Sequence, residues 1–349
     1  MGVLGSFFHR TAHGAAVSRP KVRSAPSTVL QPFTARDGEN LALYEWPLDE
    51  WDLERGMKVR EPRAVVLIVH GLGEHASRYA HVARRLLEWG FAVRAYDQRG
   101  HGQSGGARGT LPNDSALLDD LAEMVDDTRR LSQKLRRHSS AAGNPSSPPR
   151  PLPLIILGHS LGGLVASRFV SLKMRPVEGL ILSSPALDVT LNAWQKLALA
   201  LLPSLTPHLC FDNGLDPFDL THDDLVVQNY MADRLVHRKI SIRLARFMAL
   251  AGPATVAAAN RWSTPTLLMY AGTDRLVNPT GSQTFAERAA ASPDVPPERV
   301  SSQCFEGHYH EIFNEVDSQP VFDTMKTWLL ARFSTKTALS PSNTPAISY

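Results

Sequence analysis

LPLIILGHSLGG, residues 152–163, is an apolar run that passes directly into a G-x-S-x-G turn and then into a helical pattern carried by Leu161, Val165 and Phe169. A buried strand, a tight turn and a helix therefore follow one another, with Ser160 at the turn. That order matters more than the pentapeptide, which in an arbitrary loop would say little. The glycines at 158 and 162 fit a strained backbone packed too closely for side chains.

Outward from this stretch, AVVLIVH (64–70), EGLILSSP (178–185) and TPTLLMYAG (264–272) are also nearly continuous apolar runs. Strands of that kind are buried on both faces, as in a parallel sheet. FAVRAYD (91–97) and RVSSQCFEG (299–307) read as two further strands of more mixed character. Helical periods lie between them, at Tyr79, Val82, Ala83 and Leu86, and again at Leu117, Leu121, Met124, Val125 and Leu135. Gly90 and Pro176 supply stops after the first helix and after the helix that follows Ser160. Strand alternating with helix gives right-handed crossovers, so the expected fold class is α/β, a doubly wound and mostly parallel sheet. STVLQPFTA (27–35) and LALYEWP (41–47) look like an antiparallel hairpin added at one edge.

Two interruptions divide the chain. HSSAAGNPSSPPRPLP (138–153) is too rich in Pro, Ser and Gly to build a core and reads as a surface loop. Residues 187–261 replace the alternation with helical material, LNAWQKLALALLPSL, DDLVVQNYMADRLVH and ISIRLARFMALAG, and read as a helical cap. The expected organisation is a disordered basic tail (1–28), a core in two parts (29–186 and 262–333) around the cap (187–261), and a disordered tail (334–349).

A lone serine hydroxyl is a poor nucleophile at neutral pH, so it needs a base, and the base an orienting acid. Asp274 in AGTDRLVNP follows a strand and would face the same sheet edge as Ser160. Two histidines, His308 and His310, come after the last strand in FEGHYHEIFNE, and spacing alone leaves them equivalent as the base. An oxyanion hole needs two backbone donors. The amide of Leu161 is the first, and in HGLGEH (70–75) the glycines let that of Leu72 approach as the second. A zinc reading of HGLGEH is poor, because so many glycines oppose the helix that would align its histidines. No metal or organic cofactor is expected.

Taken together, HGLGEHASRY, DQRGHGQSGG, GHSLGG, LSSPAL, AGTDRLVNP and FEGHYHEIFNE resemble the monoacylglycerol lipase and lysophospholipase branch of the α/β-hydrolases, sometimes grouped with the serine aminopeptidases. The likeness covers roughly residues 30–333. It implies an α/β-hydrolase fold with the cap inserted after the sixth strand. It also implies His310 as the base with His308 its neighbour, Asp274 as the acid, and Leu72 and Leu161 as oxyanion donors. Glu74, Arg78 and His159 are implied to line the polar end of the pocket, where a glycerol head would lie. One departure stands out: relatives often carry D-P-L-V-H in the cap, and this chain has DRLVH (233–237), so a different local cap geometry is expected around Arg234.

The implied function is a serine ester hydrolase that cleaves single-chain lipids, first of all monoacylglycerol, through an acyl-enzyme. Lysophospholipase and general carboxylesterase are the nearest alternatives. An aminopeptidase would use cap acids such as Asp212, Asp216, Asp219, Asp223 and Asp224 to hold a free amine. A non-catalytic binding module would usually lack a member of the triad. Composition bounds the rest. At 349 residues and 43% apolar content the chain can bury a full core. A net charge of +3 and no basic stripe give no case for nucleic acid. The two cysteines suggest neither disulfide framework nor zinc site and fit a reduced, cytoplasmic setting. The longest apolar stretch, Leu197 to Leu209, contains two prolines and falls short of the ~20 residues that span a bilayer. The expected membrane contact is therefore peripheral, through the cap and the N-terminal tail. That tail, acid-free to Asp37, also fits an organelle transit peptide, and MGVLGS fits the myristoylation pattern.

Overall fold

The computed structural model describes residues 28–29, 32–140, 151–189 and 206–334. The expected N-terminal tail up to residue 27, the cap segment LNAWQKLALALLPSL, most of the Pro-rich loop and the C-terminal tail from residue 335 lie outside the described residues.

The chain enters through β1 (Thr28–Val29), β2 (Phe33–Thr34), β3 (Asn40–Leu41) and β4 (Leu43–Trp46). β1 pairs antiparallel with β4, and β2 with β3. After helix α1 (Leu48–Glu54) come β5 (Val65–Val69), α2 (Ala80–Glu88), β6 (Ala92–Tyr96) and α3 (Ala116–Ser140). Then follow β7 (Leu154–His159), α4 (Leu161–Ser171) and β8 (Gly179–Ser183). The eight-stranded sheet is completed by β11 (Thr266–Ala271) and β12 (Val300–Phe305), in the order β1-β4-β6-β5-β7-β8-β11-β12. From β6 to β12 every neighbour is parallel; β1 and β4 form the antiparallel edge.

The continuous apolar runs have a simple cause. Val65, Leu67, Val69, Leu154, Ile156, Leu180 and Leu182 point into one core, shared with α3 and α4. Their alternates Val66, Ile68, Ile155, Leu157 and Ile181 point into a second core, with α2 and the last helix, α8 (Gln319–Arg332). A strand buried on both faces has no polar side to alternate with. β6 is buried throughout although it holds Arg94, whose charge is met by Glu45 at 2.7 Å and Asp127 at 2.9 Å. The polar character of β12 reflects its place at the sheet's edge. α4 stops at Ser171, short of Pro176, with Lys173 at a positive φ of 53°.

β8 is the sixth strand of the large sheet in chain order, and the helical insertion follows it. Its described part holds α5 (Asp224–Ala232) and α6 (Ile242–Ala258). It also holds a strand pair that the helical reading did not foresee, β9 (Cys210–Asp212) with β10 (Lys239–Ser241). α6 is apolar enough, with the residues up to Arg261, to pass a length-and-composition test for crossing a membrane. It nevertheless buries Leu244, Phe247, Met248 and Ala251 in the first core, beside α7 (Thr280–Ala290).

Candidate active site

Parallel strands β5, β7, β11 and β12 all release their loops at one edge of the sheet, so residues far apart in the chain meet there. Ser160 sits between β7 and α4 with φ 50° and ψ −118°, a conformation rare for a residue with a side chain. Its N–H donates to the carbonyl of Ser183 at 3.0 Å, and its carbonyl accepts from Leu164 at 2.9 Å and Ala186 at 3.0 Å. The elbow is packed as its glycines require: a Cβ at Gly162 would stand 2.1 Å from the carbonyl oxygen of Val69, and one at Gly158 2.6 Å from that of Gly162. Leu161 is the first residue of α4, where a helix has no internal acceptor for the backbone N–H.

Asp274 follows β11 and His310 follows β12, and they meet, with His310 Nδ1 at 2.7 Å from Asp274 Oδ2. Asp274 is fixed from the other side by the N–H groups of Leu276 and Val277, each donating to Oδ1 at 2.9 Å. It therefore caps the following turn and orients the imidazole at once. Burial opposes charge on His310, but the Asp274 carboxylate outweighs it and raises the imidazole above its usual range. Burial likewise opposes charge on Asp274, and His310 with the two backbone N–H groups outweighs it, lowering the carboxyl. The two histidines left equivalent by spacing are separated here. The Nε2 of His308 lies 3.0 Å from the carbonyl oxygen of Asp317, whereas it is His310 that meets the Asp274 carboxylate.

His310 faces the ring of His159, the neighbour of Ser160, at 4.8 Å between centroids. His159 is buried, with Nδ1 3.1 Å from the Ser183 hydroxyl. Burial, aided by His310, pushes its imidazole down to about 4, so it is neutral near pH 7.

The loop after β5 lies against the elbow: a Cβ at Gly71 would be 3.2 Å from the Cβ of Ser160. The tautomer of His70 in this loop follows from its partners. The backbone N–H of Gln98 donates to Nε2 at 2.9 Å, so the proton is on Nδ1, which donates to the carbonyl of Gly71 at 2.8 Å. That carbonyl belongs to the peptide whose N–H is that of Leu72, and a trans peptide is planar, so His70 fixes the direction of the Leu72 N–H. Sequence reading passed over this role for His70.

Glu74 ties the same loop together. Its Oε1 accepts from the Gly71 N–H and the Tyr79 hydroxyl, both at 2.6 Å, and its Oε2 from Arg78 at 2.5 Å. Burial would raise this carboxyl, but Arg78 first, then His159 and His70, hold it at about 2. Arg78 also meets Glu311, the residue after His310, through Nη1 at 2.6 Å and Nη2 at 2.8 Å. Glu311 was in view within a quoted motif without being singled out, and Tyr79 was read only as a position of a helical period. The i,i+4 spacing of Glu74 and Arg78 hints at one ion pair, while nothing local reveals the one to Glu311. Among the described residues no group of three or more His, Cys, Asp or Glu side chains could hold a metal ion.

The cap presses on this edge. Asp233 Oδ2 is 2.8 Å from His75 Nε2, and the His237 N–H donates to the carbonyl of Gly73 at 2.9 Å. DRLVH thus holds the loop after β5 through its first and last residues, and Arg234 between them carries neither contact. Leu220 accepts the N–H of Glu311 at 2.8 Å, beside the base.

The family described as Serine aminopeptidase, S33 matches residues 60–317, from just before β5 to beyond His310. The chain belongs to that family. Among its relatives, this serine aminopeptidase S33 member is 33% identical over 274 residues to the monoacylglycerol lipase of Mycolicibacterium smegmatis, a match that covers 78% of the present chain and 89% of that enzyme. It is 32% identical to an uncharacterized abhydrolase domain-containing protein of Dictyostelium discoideum over 88% of its own length, but spans only 29% of that protein. The crystal structure of Paleococcus ferrophilus monoacylglycerol lipase superposes with a TM-score of 0.64 at 28% identity, covering 78% of this chain and 96% of that one.

Proposed function

We propose that this chain hydrolyses carboxylic esters of single-chain lipids, monoacylglycerol before others, with Ser160 as nucleophile, His310 as base and Asp274 as its orienting acid. The observation that carries this reading is the 2.7 Å Asp274–His310 hydrogen bond, formed at the sheet edge where the strained Ser160 elbow opens. The Ser160 hydroxyl attacks the ester carbonyl while His310 takes its proton. The N–H groups of Leu72 and Leu161 receive the charge that develops on the carbonyl oxygen. The same histidine protonates the departing alcohol, and then activates the water that frees the fatty acid.

Similarity to the M. smegmatis monoacylglycerol lipase supports the lipid substrate. Four of the five cap acids are already engaged: Asp212 pairs with Arg238, Asp219 with Arg275, and Asp216 and Asp223 cap backbone N–H groups, while Asp224 lies exposed in the first turn of α5. That favours an ester over an amino-terminal peptide. Leu209, Phe211, Phe218, Leu225 and Met231 are exposed on the cap, which supports peripheral contact with a membrane surface; a cytoplasmic location is proposed on the cysteine content alone. No nucleic-acid partner is proposed.

A panel of monoacylglycerols, lysophospholipids, short esters and aminoacyl amides, run with wild type and Ser160→Ala, tests the proposal. Wild type should turn over monoacylglycerol fastest and label with a fluorophosphonate, and Ser160→Ala should do neither. Preference for the amides, or labelling that survives in Ser160→Ala, overturns it.

A further inference from the structure

Arg78 stands where three parts of the site meet. Its Nη1 donates to Glu74 of the oxyanion loop and to Glu311 of the base loop, and its Nη2 to the other oxygen of Glu311. From the cap, the ring of Tyr230 on α5 lies 4.9 Å from its guanidinium carbon. Only 12% of the Arg78 side chain is exposed, and both carboxylates are more buried still, at 4% and 5%. Three of its five N–H groups are thus spent inside the protein.

Each partner is in turn attached to a catalytic element. Glu74 holds the Gly71 N–H, one peptide before the Leu72 donor. Glu311 directly follows His310, and its backbone N–H is held by Leu220 of the cap. We infer that Arg78 is a positioning residue that sets the oxyanion loop and the base loop at their working separation, and is not the group that holds the substrate's head. This rests on the hydrolase reading above. A planar fork suits that role, since a bidentate pair to Glu311 fixes direction as well as distance, which a point charge does not. Substrate contact would need donors aimed outward, whereas three of the five are aimed at the two loops.

The two roles separate by head group. Wild type, Arg78→Met, Arg78→Lys and Glu311→Gln are compared, as full chains, on two esters of the same fatty acid, a monoacylglycerol and a p-nitrophenyl ester that has no glycerol. If Arg78 positions the loops, Arg78→Met lowers kcat and kcat/KM by about tenfold or more on both esters, with KM within about threefold. Arg78→Lys recovers part of the loss on both, and Glu311→Gln, which keeps shape and an acceptor, loses less but equally on both. A loss confined to the glycerol ester and expressed in KM overturns the inference, as does unchanged kcat in folded Arg78→Met. Should Arg78→Met fail to fold, Glu311→Gln decides: an equal loss on the two esters supports the inference and an unchanged kcat defeats it. The underlying hydrolase reading is checked separately, by activity of wild type and its absence in Ser160→Ala.

Discussion

The imidazole of His310 sets the pH range of the proposed reaction, because only its neutral form can accept the Ser160 proton. Asp274 raises it above the ordinary 6.5 despite burial, so the proton is lost later as pH rises. The acid limb of kcat/KM should therefore lie above pH 6.5, with activity rising through it. Asp274→Asn removes the raising carboxylate and the partner that selects the tautomer. That variant should lose roughly 10³–10⁴-fold in kcat and show its limb at lower pH. A wild-type limb below 6.5 would contradict the arrangement. His70 makes a second case at this scale. His70→Ala leaves the Gly71 carbonyl and the Gln98 N–H without the partner that now joins them, each buried polar group costing about 1–3 kcal/mol. Steady-state kinetics on a monoacylglycerol should show kcat down about tenfold with KM little changed, since the Leu72 N–H loses its fixed direction.

At the level of elements, the cap touches the catalytic loops through short segments of backbone, and those contacts tolerate no added bulk. Gly73 has φ 76°, and a Cβ there would stand 2.4 Å from the carbonyl oxygen of His237. Gly73→Ala should push residues 233–237 off the loop, lower kcat/KM by about tenfold or more, and reduce stability by about 1–3 kcal/mol in denaturant melts. Retained activity and stability would mean that the cap segment does not rest on this loop. Elements of this kind also mark where reading from sequence stops. β5, β7, β8 and β11 were legible because burial on both faces leaves one unbroken apolar signature. The Ser160 elbow was legible because strand, glycine and helix sit within twelve residues. β9 and β10 were not, since each is three residues long and the face of β9 is mostly exposed. The Arg78–Glu311 pair is 233 residues apart, and only the order of strands in the sheet closes that distance.

Over the whole molecule, four histidines near this edge are held neutral by burial: His70, His101, His159 and His237 all have lowered values. The His101 ring lies between those of His70, edge-on at 5.4 Å, and His237 of the cap, tilted at 4.7 Å, so three of the four form one row of ring contacts across the joint between sheet edge and cap. The unfolded chain takes up protons near 6.5 and the folded chain only at lower pH, down to about 4 for His159 and His237. Their contribution to stability is thus fully present above pH 6.5 and is lost as pH falls toward 4. For His159 alone the shift amounts to about 3 kcal/mol at about 1.4 kcal/mol per unit. His310 acts in the opposite sense, its raised value adding stability below 6.5 that fades as pH rises through the folded value, but one group of that sign faces these four and His81, which burial lowers as well. Thermal unfolding followed from pH 8 to pH 4 should show Tm flat at first and then falling steeply below about 6.5. Because this row of rings joins cap to sheet, hydrogen exchange at Ser241, whose N–H donates to the carbonyl of Gly109 at 2.9 Å, should quicken at pH 5 before exchange in β5 and β7 does. A Tm that stays level down to pH 5, or loosening that starts in the central strands, would show that these imidazoles do not govern the acid response.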